Sequence, residues 1–217
     1  MTVRRQEWMT DQVYAWACLE REARLNTLAR RNTNKDVLVA IKAQHPLHED
    51  GTPGPEYELR LEKALEVGVR LEKAGKKVTY MTFGGIHEGN KYVTLADAGA
   101  AWLKSHGVVS VITCPVVFSG NDEDRMAAEE FANGAHNYSQ LHVILSAGQW
   151  DRTRLYFIFM GWQPEMHPVI YLDDDPNHSS VCELWGGWAV PAFAEGPDAI
   201  AKATEEIRNK HLEGAMK

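Results

Sequence analysis

Residues 55–83 read PEYELRLEKALEVGVRLEKAGKKVTYMTF and predict a helix followed directly by a strand. Apolar residues recur at helical spacing after an initial proline, and Gly75 stands where the helix is expected to end. The segment KVTYMTF at 77–83 is a short β-branched and aromatic run that is typical of a strand. Another apolar run, DVLVAIKA at 36–43, comes before the helix and has too few polar positions to be half exposed. This order predicts a parallel strand–helix–strand unit.

The same alternation continues on both sides of this unit. Further helices are predicted at 5–31, 92–107, 121–135 and 150–162, and further strands at 108–118, 141–146 and 167–172. Five strands alternating with helices call for a parallel sheet with both faces covered. The sequence therefore predicts a Rossmann-like three-layer α/β/α sandwich with a mainly parallel five-stranded sheet. We expect one domain over 1–217, with an N-terminal helix in 1–34, the α/β core in 35–172 and a C-terminal extension in 173–217.

Composition and charge narrow the function classes. The chain has 23 Lys+Arg against 30 Asp+Glu, a net charge of −7, and no long basic run, so nucleic acid is not an expected partner. No apolar stretch is long enough to cross a bilayer, and the N-terminus lacks an uninterrupted secretory core, so we expect no membrane partner and a cytoplasmic location. The three cysteines are widely spaced and form no CxxC pair, which disfavours disulfides or a cysteine zinc site.

Polar residues follow each of the first four predicted strands. Parallel sheets bind ligands beyond the carboxyl ends of their strands, where these residues are expected to meet. They are Lys42, Gln44, His45 and His48 after the first strand, Gly84, Gly85, His87 and Glu88 after the second, Ser119, Asn121, Asp122 and Asp124 after the third, and Ser146, Gln149 and Arg152 after the fourth. The chain has no GxSxG elbow, no P-loop and no GxGxxG after its first strand, which disfavours serine hydrolases, kinases and standard NAD enzymes.

Several of these segments resemble the YdcF/SanA/ElyC-like family of bacterial proteins over about residues 36–172. The Gly-Gly turn falls on Gly84 and Gly85 in TFGG, and the motif after the third strand falls on SGNDEDR, which contains Ser119, Asn121, Asp124 and Arg125. The motif after the fourth strand falls on LSAGQWDR, with Ser146, Gln149 and Arg152. The resemblance implies a Rossmann-like domain whose pocket takes an anionic or nucleotide-like small molecule, and one branch of the family is associated with S-adenosylmethionine.

The sequence also departs from the pattern of these proteins. Gln149 stands where they usually carry histidine, Asp124 and Arg125 replace a Glu-Asn pair, and Leu95 takes the position of a glutamate. Acid/base chemistry, if this chain retains it, therefore falls to His87, Glu88 or Asp124, or to His45. The leading hypothesis is a protein that binds such an anionic or nucleotide-like molecule at the carboxyl edge of the sheet, and an enzymatic version of it would be a hydrolase or a group-transfer enzyme. The alternative is a non-catalytic sensor or partner-binding protein that has kept the pocket.

Each candidate residue also has a purely structural interpretation. Arg152, in the first turn of a helix, could clamp an anionic group or form a salt bridge with Asp151, Asp122 or Asp124. Ser119 and Ser146 could donate to the same anion or cap helices. Gly84 and Gly85 could admit a ligand to the backbone or form a plain turn. The helix dipole alone accounts for carboxylates in the first turn after Ser119.

Cofactor and assembly stay open at this point. S-adenosylmethionine and a divalent metal are the two cofactor candidates, and HPLHED and DDDPNH each place histidine beside carboxylates. Such charged loops are far more often solvated surface, so no residue is assigned as a metal ligand. Trp185, Trp188 and Phe193 could form a lid over the pocket or pack an extension. Trp8 and Trp16 on the N-terminal helix could form a homodimer surface.

Overall fold

A computed structural model of the chain describes residues 4–7, 9–31, 36–86, 93–117, 119–134 and 136–171, together with Ala199 and Lys202. Its helices are α1 (Asp11–Arg30), α2 (Pro55–Lys73), α3 (Leu95–Ser105), α4 (Gly120–Asn133) and α5 (Trp150–Phe159). Its strands are β1 (Asp36–Ile41), β2 (Lys77–Phe83), β3 (Val111–Cys114), β4 (Gln140–Ser146) and β5 (Glu165–Val169). A short 3₁₀ turn, Ala147–Gln149, connects β4 to α5. The alternation predicted from the sequence is confirmed.

The five strands form one sheet in the order β3-β2-β1-β4-β5, and every pairing is parallel. In the register, Leu38 of the central strand lies between Thr79 of β2 and Leu141 of β4. The chain adds β2 and β3 on one side of β1 and then returns to the other side for β4 and β5. The strand order therefore reverses between β1 and β4, which makes their carboxyl ends the expected ligand crevice of this Rossmann-like fold.

Alternate residues of the strands are buried under helices on both faces. Val39, Ile41 and Ile144 face α2 and α3, where they pack with Tyr57 and Leu61. Leu38, Ala40 and Val143 lie on the opposite face with Phe131 of α4 and Phe157 of α5. Burial on both sides explains why the strands are nearly continuous apolar runs. The three-layer α/β architecture is thus the one that the sequence predicted.

The N-terminal helix α1 packs outside this sandwich against α5. Trp16 contacts the cluster around Tyr156, and Ala199 from the C-terminal extension packs there too. Arg30 donates hydrogen bonds to the backbone oxygens of Phe131 and Ala132 at the end of α4. Trp16 is therefore used in packing within the chain, whereas Trp8 lies outside the described residues.

The ends of several elements differ from the predicted ones. β3 ends at Cys114, not at 118, because Pro115 has no N–H to continue the ladder. β5 begins at Glu165, two residues before the predicted 167, because Glu165 and Met166 pair with His142 and Val143. Among the described residues, none of the helices combines the length and the apolar character that crossing a bilayer requires.

Candidate functional site

The carboxyl ends of β1 and β4 are surrounded by a buried network of charged side chains. Lys42 follows β1 directly and its side chain is only 1% exposed. Its Nζ donates to Asp124 Oδ1 at 2.7 Å and to the backbone oxygen of Gly120 at 2.6 Å, and Glu123 Oε2 lies 3.3 Å away. The start of α4 is thereby tied to the end of β1. Glu123 also accepts a hydrogen bond from the backbone N–H of Ala43, at 2.9 Å.

A second buried cation, Arg60 of α2, lies on the other face of the same strand ends. Its guanidinium donates to the backbone oxygens of Lys42 and Ala43, at 3.0 and 2.7 Å. It also donates to Ser146 Oγ at 2.6 Å and to Glu56 Oε1 at 2.9 Å, and Ser146 donates to that same Glu56 oxygen. Arg60 therefore joins the ends of β1 and β4, the two strands that flank the reversal in strand order.

Arg152 is the third buried cation and lies in the first turn of α5. Its Nη1 donates to Asn121 Oδ1 at 2.7 Å, and its charge partly opposes the rise in the pKa of Asp124 that burial causes. The guanidinium packs closely on Gly120, where an added Cβ would come within 2.8 Å of both terminal nitrogens. Asn121 and Arg152, both predicted site residues, are thus in direct contact.

Among the described residues, six charged side chains of this network balance one another when all are ionised. The cations Lys42, Arg60 and Arg152 face the carboxylates of Glu56, Glu123 and Asp124, and all six residues are buried. Burial raises the pKa of Glu123 and of Asp124, although Lys42 beside both acts in the opposite direction. Asp124 Oδ2 and Thr153 Oγ1 are buried without a hydrogen-bond partner of normal geometry. Asp124 is therefore a buried carboxyl that binds a proton more tightly than an ordinary aspartate does.

Other predicted site residues hold the local backbone. Gly84, at φ 103°, and Gly85 present their carbonyls to the N–H groups of Ala96 and Leu95, so the Gly-Gly turn caps α3. Ser119 caps α4 by accepting from the N–H of Asp122, as one of its two interpretations predicted.

Two more predicted residues have partners within the same corner or helix. Gln149 accepts from the N–H of Ser146 through its side-chain oxygen and so closes the turn after β4. Arg125 forms ion pairs with Asp122 and Glu129 along α4 and is partly exposed. His87 and Glu88, the remaining predicted catalytic residues, lie outside the described residues, as do Trp185, Trp188, Phe193 and the DDDPNH segment.

A separate cluster of His142, Glu165 and His167 lies on the neighbouring strands β4 and β5. His142 Nδ1 and His167 Nε2 are 2.9 Å apart, and the two rings are stacked. Glu165 Oε1 is 3.7 Å from His167 Nε2, and Glu165 Oε2 is 4.0 Å from His142 Nδ1. Burial lowers the pKa of both imidazoles, that of His142 to about 3, so the pair is neutral at pH 7.

Because both imidazoles are neutral, we predict that the stability of the protein depends on pH. The prediction applies without bound metal, since these residues are also possible metal ligands. The unfolded chain protonates His142 near its ordinary pKa of 6.5, whereas the folded chain does so only near 3. Stability should therefore be lost as the pH falls through this window, because the unfolded state binds more protons. In His142→Leu this part of the loss should be missing. Urea unfolding of both proteins at several pH values, with a chelator present, would show it, and two parallel curves would contradict the assignment.

A surface groove of about 490 Å³ lies away from the charged network. It is lined by α1, α5 and the segment that enters β5, including Arg24, Arg31, Arg154 and Glu165. No residue of the network lines it. We place the candidate site at the strand ends because the buried charges converge there.

Sequence reasoning missed five residues that the structure makes central: Glu56, Arg60, His142, Glu165 and His167. Arg60 occupies a position on the buried stripe of α2, between Tyr57 and Leu61, where an apolar residue is expected. Both histidines interrupt apolar strands in LHVIL and MHPVI. A polar residue at a core position was the signal that could have found them. His45 and His48, by contrast, are not part of the one group of metal-type ligands that the described part of the chain brings together.

A comparison of the chain with protein-family models, with curated proteins and with solved structures found no match. The class of protein is thus defined by the fold, a Rossmann-like α/β domain with an all-parallel sheet, and by the buried charged network at its carboxyl edge.

Proposed function

We propose that the protein binds an anionic or nucleotide-like small molecule at the carboxyl edge of its sheet, between β1 and β4. The observation that carries this proposal is the buried network of three cations and three carboxylates at the reversal in strand order. Ligands of this fold class bind at that point. The resemblance to YdcF-like proteins leads to the same edge from the motifs alone.

The cost of the network supports a ligand-binding role. Desolvation of buried ion pairs often cancels their attraction, so apolar residues of similar volume would serve the fold as well or better. Here the charges come from four separate segments, around Lys42, Arg60, Asp124 and Arg152, and they meet at the edge where a ligand is expected. A function that needs charge at this edge explains the desolvation cost of these buried ion pairs better than packing does.

The raised pKa values suggest how an anion could be accommodated. Protonation of Asp124 or Glu123 would leave Lys42 and Arg152 with excess positive charge beside the start of α4. An anionic group could then take the place of a carboxylate, with Arg152 as a clamp and Asn121 as a polar contact. Such binding takes up a proton. The same carboxyl, Asp124, is the described group best suited to acid/base chemistry if the ligand is turned over.

One observation favours the non-catalytic alternative. Gln149 stands where the related motif has histidine, and its side-chain oxygen closes the corner after β4 by accepting from Ser146. A residue in that role orders the backbone and moves no proton. Asp124→Asn separates the two functions: lost turnover with retained binding indicates an enzyme, whereas binding without turnover in the unaltered protein indicates a sensor.

Removal of the Arg152 guanidinium should weaken ligand binding. We expect Arg152→Ala to reduce the affinity for an anionic ligand by about 1.5–3 kcal/mol, the contribution of a hydrogen bond to a charged group. A thermal-shift screen with inorganic phosphate, AMP, ATP, glucose 6-phosphate and S-adenosylmethionine would choose the ligand, and calorimetry would measure both proteins.

The matched control is Arg154→Ala, which removes the same side chain from the same helix. Arg154 pairs with Glu20 of α1 and lies outside the network, so its removal should leave the affinity unchanged. Equal losses in both variants, or none in Arg152→Ala, would refute the clamp. Because Arg152 is buried, Arg152→Lys, which keeps the charge, serves as a second variant if the alanine form unfolds.

A further inference from the structure

We propose a second site, in which His142, Glu165 and His167 bind one divalent transition-metal ion of the Zn²⁺ type. The three residues come from neighbouring strands. His142 is paired in register with Glu165, and His167 follows two residues later on the same side of β5. His142 lies four positions before Ser146, the last residue of β4, and Glu165 and His167 lie on the edge strand β5. This site therefore shares no residue with the proposed anion site.

The donor atoms have the spacing that a metal ion requires. The two ring nitrogens are 2.9 Å apart, Glu165 Oε1 is 3.7 Å from His167 Nε2, and the other oxygen, Oε2, is 4.0 Å from His142 Nδ1. One ligand atom from each residue lies within 4.8 Å of the other two, whereas ligands of a tetrahedral zinc with bonds of roughly 2.0–2.1 Å are about 3.4 Å apart. One ion could therefore contact all three residues after adjustment of their side chains, above all of the half-exposed Glu165. Parallel β-strands keep the two histidines in place, since their backbones are fixed by the ladder.

The partner of His142 selects the tautomer that binds metal. The other ring nitrogen, Nε2, lies 3.2 Å from the side-chain oxygen of Gln140, which can only accept a hydrogen bond. Nε2 therefore carries the proton, and the lone pair of Nδ1 points towards His167 and Glu165. Metal-bound histidines are oriented by an outer acceptor in this way. In the metal-free protein, the proton between the two rings belongs to His167 Nε2.

The site is open to solvent on one side. Glu165 is half exposed, whereas both histidines are buried, so an ion can enter past the carboxylate. Two nitrogen donors and one carboxylate leave a fourth position free, which is the ligand set of a zinc site that keeps a water molecule. Arg70 of α2 lies 3.6 Å from Glu165 Oε1 and competes with the metal for this oxygen.

Zinc binding can be measured on the whole chain after removal of bound metal. We expect one Zn²⁺ per chain by mass spectrometry of metal content, and Co²⁺ should give the visible spectrum of a tetrahedral centre. Competition with a chromophoric chelator should show Glu165→Gln about tenfold weaker and His167→Ala about a hundredfold weaker or more. Arg70→Met should bind Zn²⁺ more tightly, because it frees the carboxylate.

The controls distinguish this site from other histidines. His106→Ala removes an exposed imidazole that stacks on Trp102, and it should leave Zn²⁺ affinity unchanged. His48→Ala tests the HPLHED loop in the same way. Circular dichroism checks that each variant is folded, and half-exposed Glu165 is the substitution least harmful to the core. The proposal would be overturned if the unaltered protein did not bind Zn²⁺, or if Glu165→Gln and His167→Ala bound it as tightly as the unaltered protein does.

Discussion

Replacement of Lys42 by Met is expected to lower the free energy of unfolding by about 3–5 kcal/mol, the usual cost of breaking a buried ion pair. The ammonium contacts two carboxyls, Glu123 and Asp124, and all three side chains are more than nine-tenths buried. Without it, both carboxyls must either stay charged in the protein interior or take up protons. The loss should therefore shrink as the pH falls, because protonation removes the unpaired charges.

Urea denaturation of Lys42→Met at neutral and mildly acidic pH would measure this effect. The triple variant Lys42→Met, Glu123→Gln, Asp124→Asn should recover much of the stability, since it leaves no unpaired charge. Lys63→Met is the matched control, because Lys63 forms only a surface pair with Glu66 and its loss should matter little. A loss in Lys42→Met no larger than in this control would show that the buried ion pairs contribute nothing to the fold.

Arg60→Met should be as costly, at about 3–5 kcal/mol, for a different reason. The guanidinium satisfies the backbone oxygens of Lys42 and Ala43 together with the side chains of Glu56 and Ser146, and it is fully buried. Its removal leaves several buried acceptors without their donor at once. Arg60→Lys should recover only part of the loss, because a single ammonium cannot reproduce the planar fork of donors.

Thermal or urea unfolding of these two variants beside Arg70→Met would test the prediction. Arg70 is on the same helix, but its side chain is 60% exposed and it contacts only the rim of the sheet at Glu165. A full recovery in Arg60→Lys would mean that the positive charge alone, and not its geometry, holds the two strand ends together.

The fold could be predicted because each strand is buried on both faces. Runs such as DVLVAI and LHVILS admit almost no polar residue, and the helices between them carry an apolar stripe. The first and last residues of the strands were less predictable, because hydrogen-bonded pairing with a neighbouring strand determines them. Ile170 continues the apolar run of β5 but is 74% exposed, whereas Glu165 belongs to the strand.

The sequence predicted that polar residues meet at the carboxyl edge of the sheet, but not which of them pair. Polar residues after the strands indicated the carboxyl edge, and Asn121 and Arg152 do meet there. Which cation faces which carboxylate depends on tertiary distances that no local pattern carries. Lys42 and Asp124 are 82 residues apart, and Arg60 and Ser146 are 86 apart. Arg60 in particular is a charged residue at a position where the helical periodicity of α2 predicts an apolar one.

These long separations have a consequence for how the chain can be divided. Lys42 and Arg60 precede β2 in the chain, whereas Asp124 and Ser146 follow β3. A fragment that ends after β3 would contain Lys42 without Asp124 and Arg60 without Ser146, and the complementary fragment would contain Glu123 and Asp124 without Lys42. We infer that neither half is a stable folding unit and that the two halves gain their order together, in one cooperative transition.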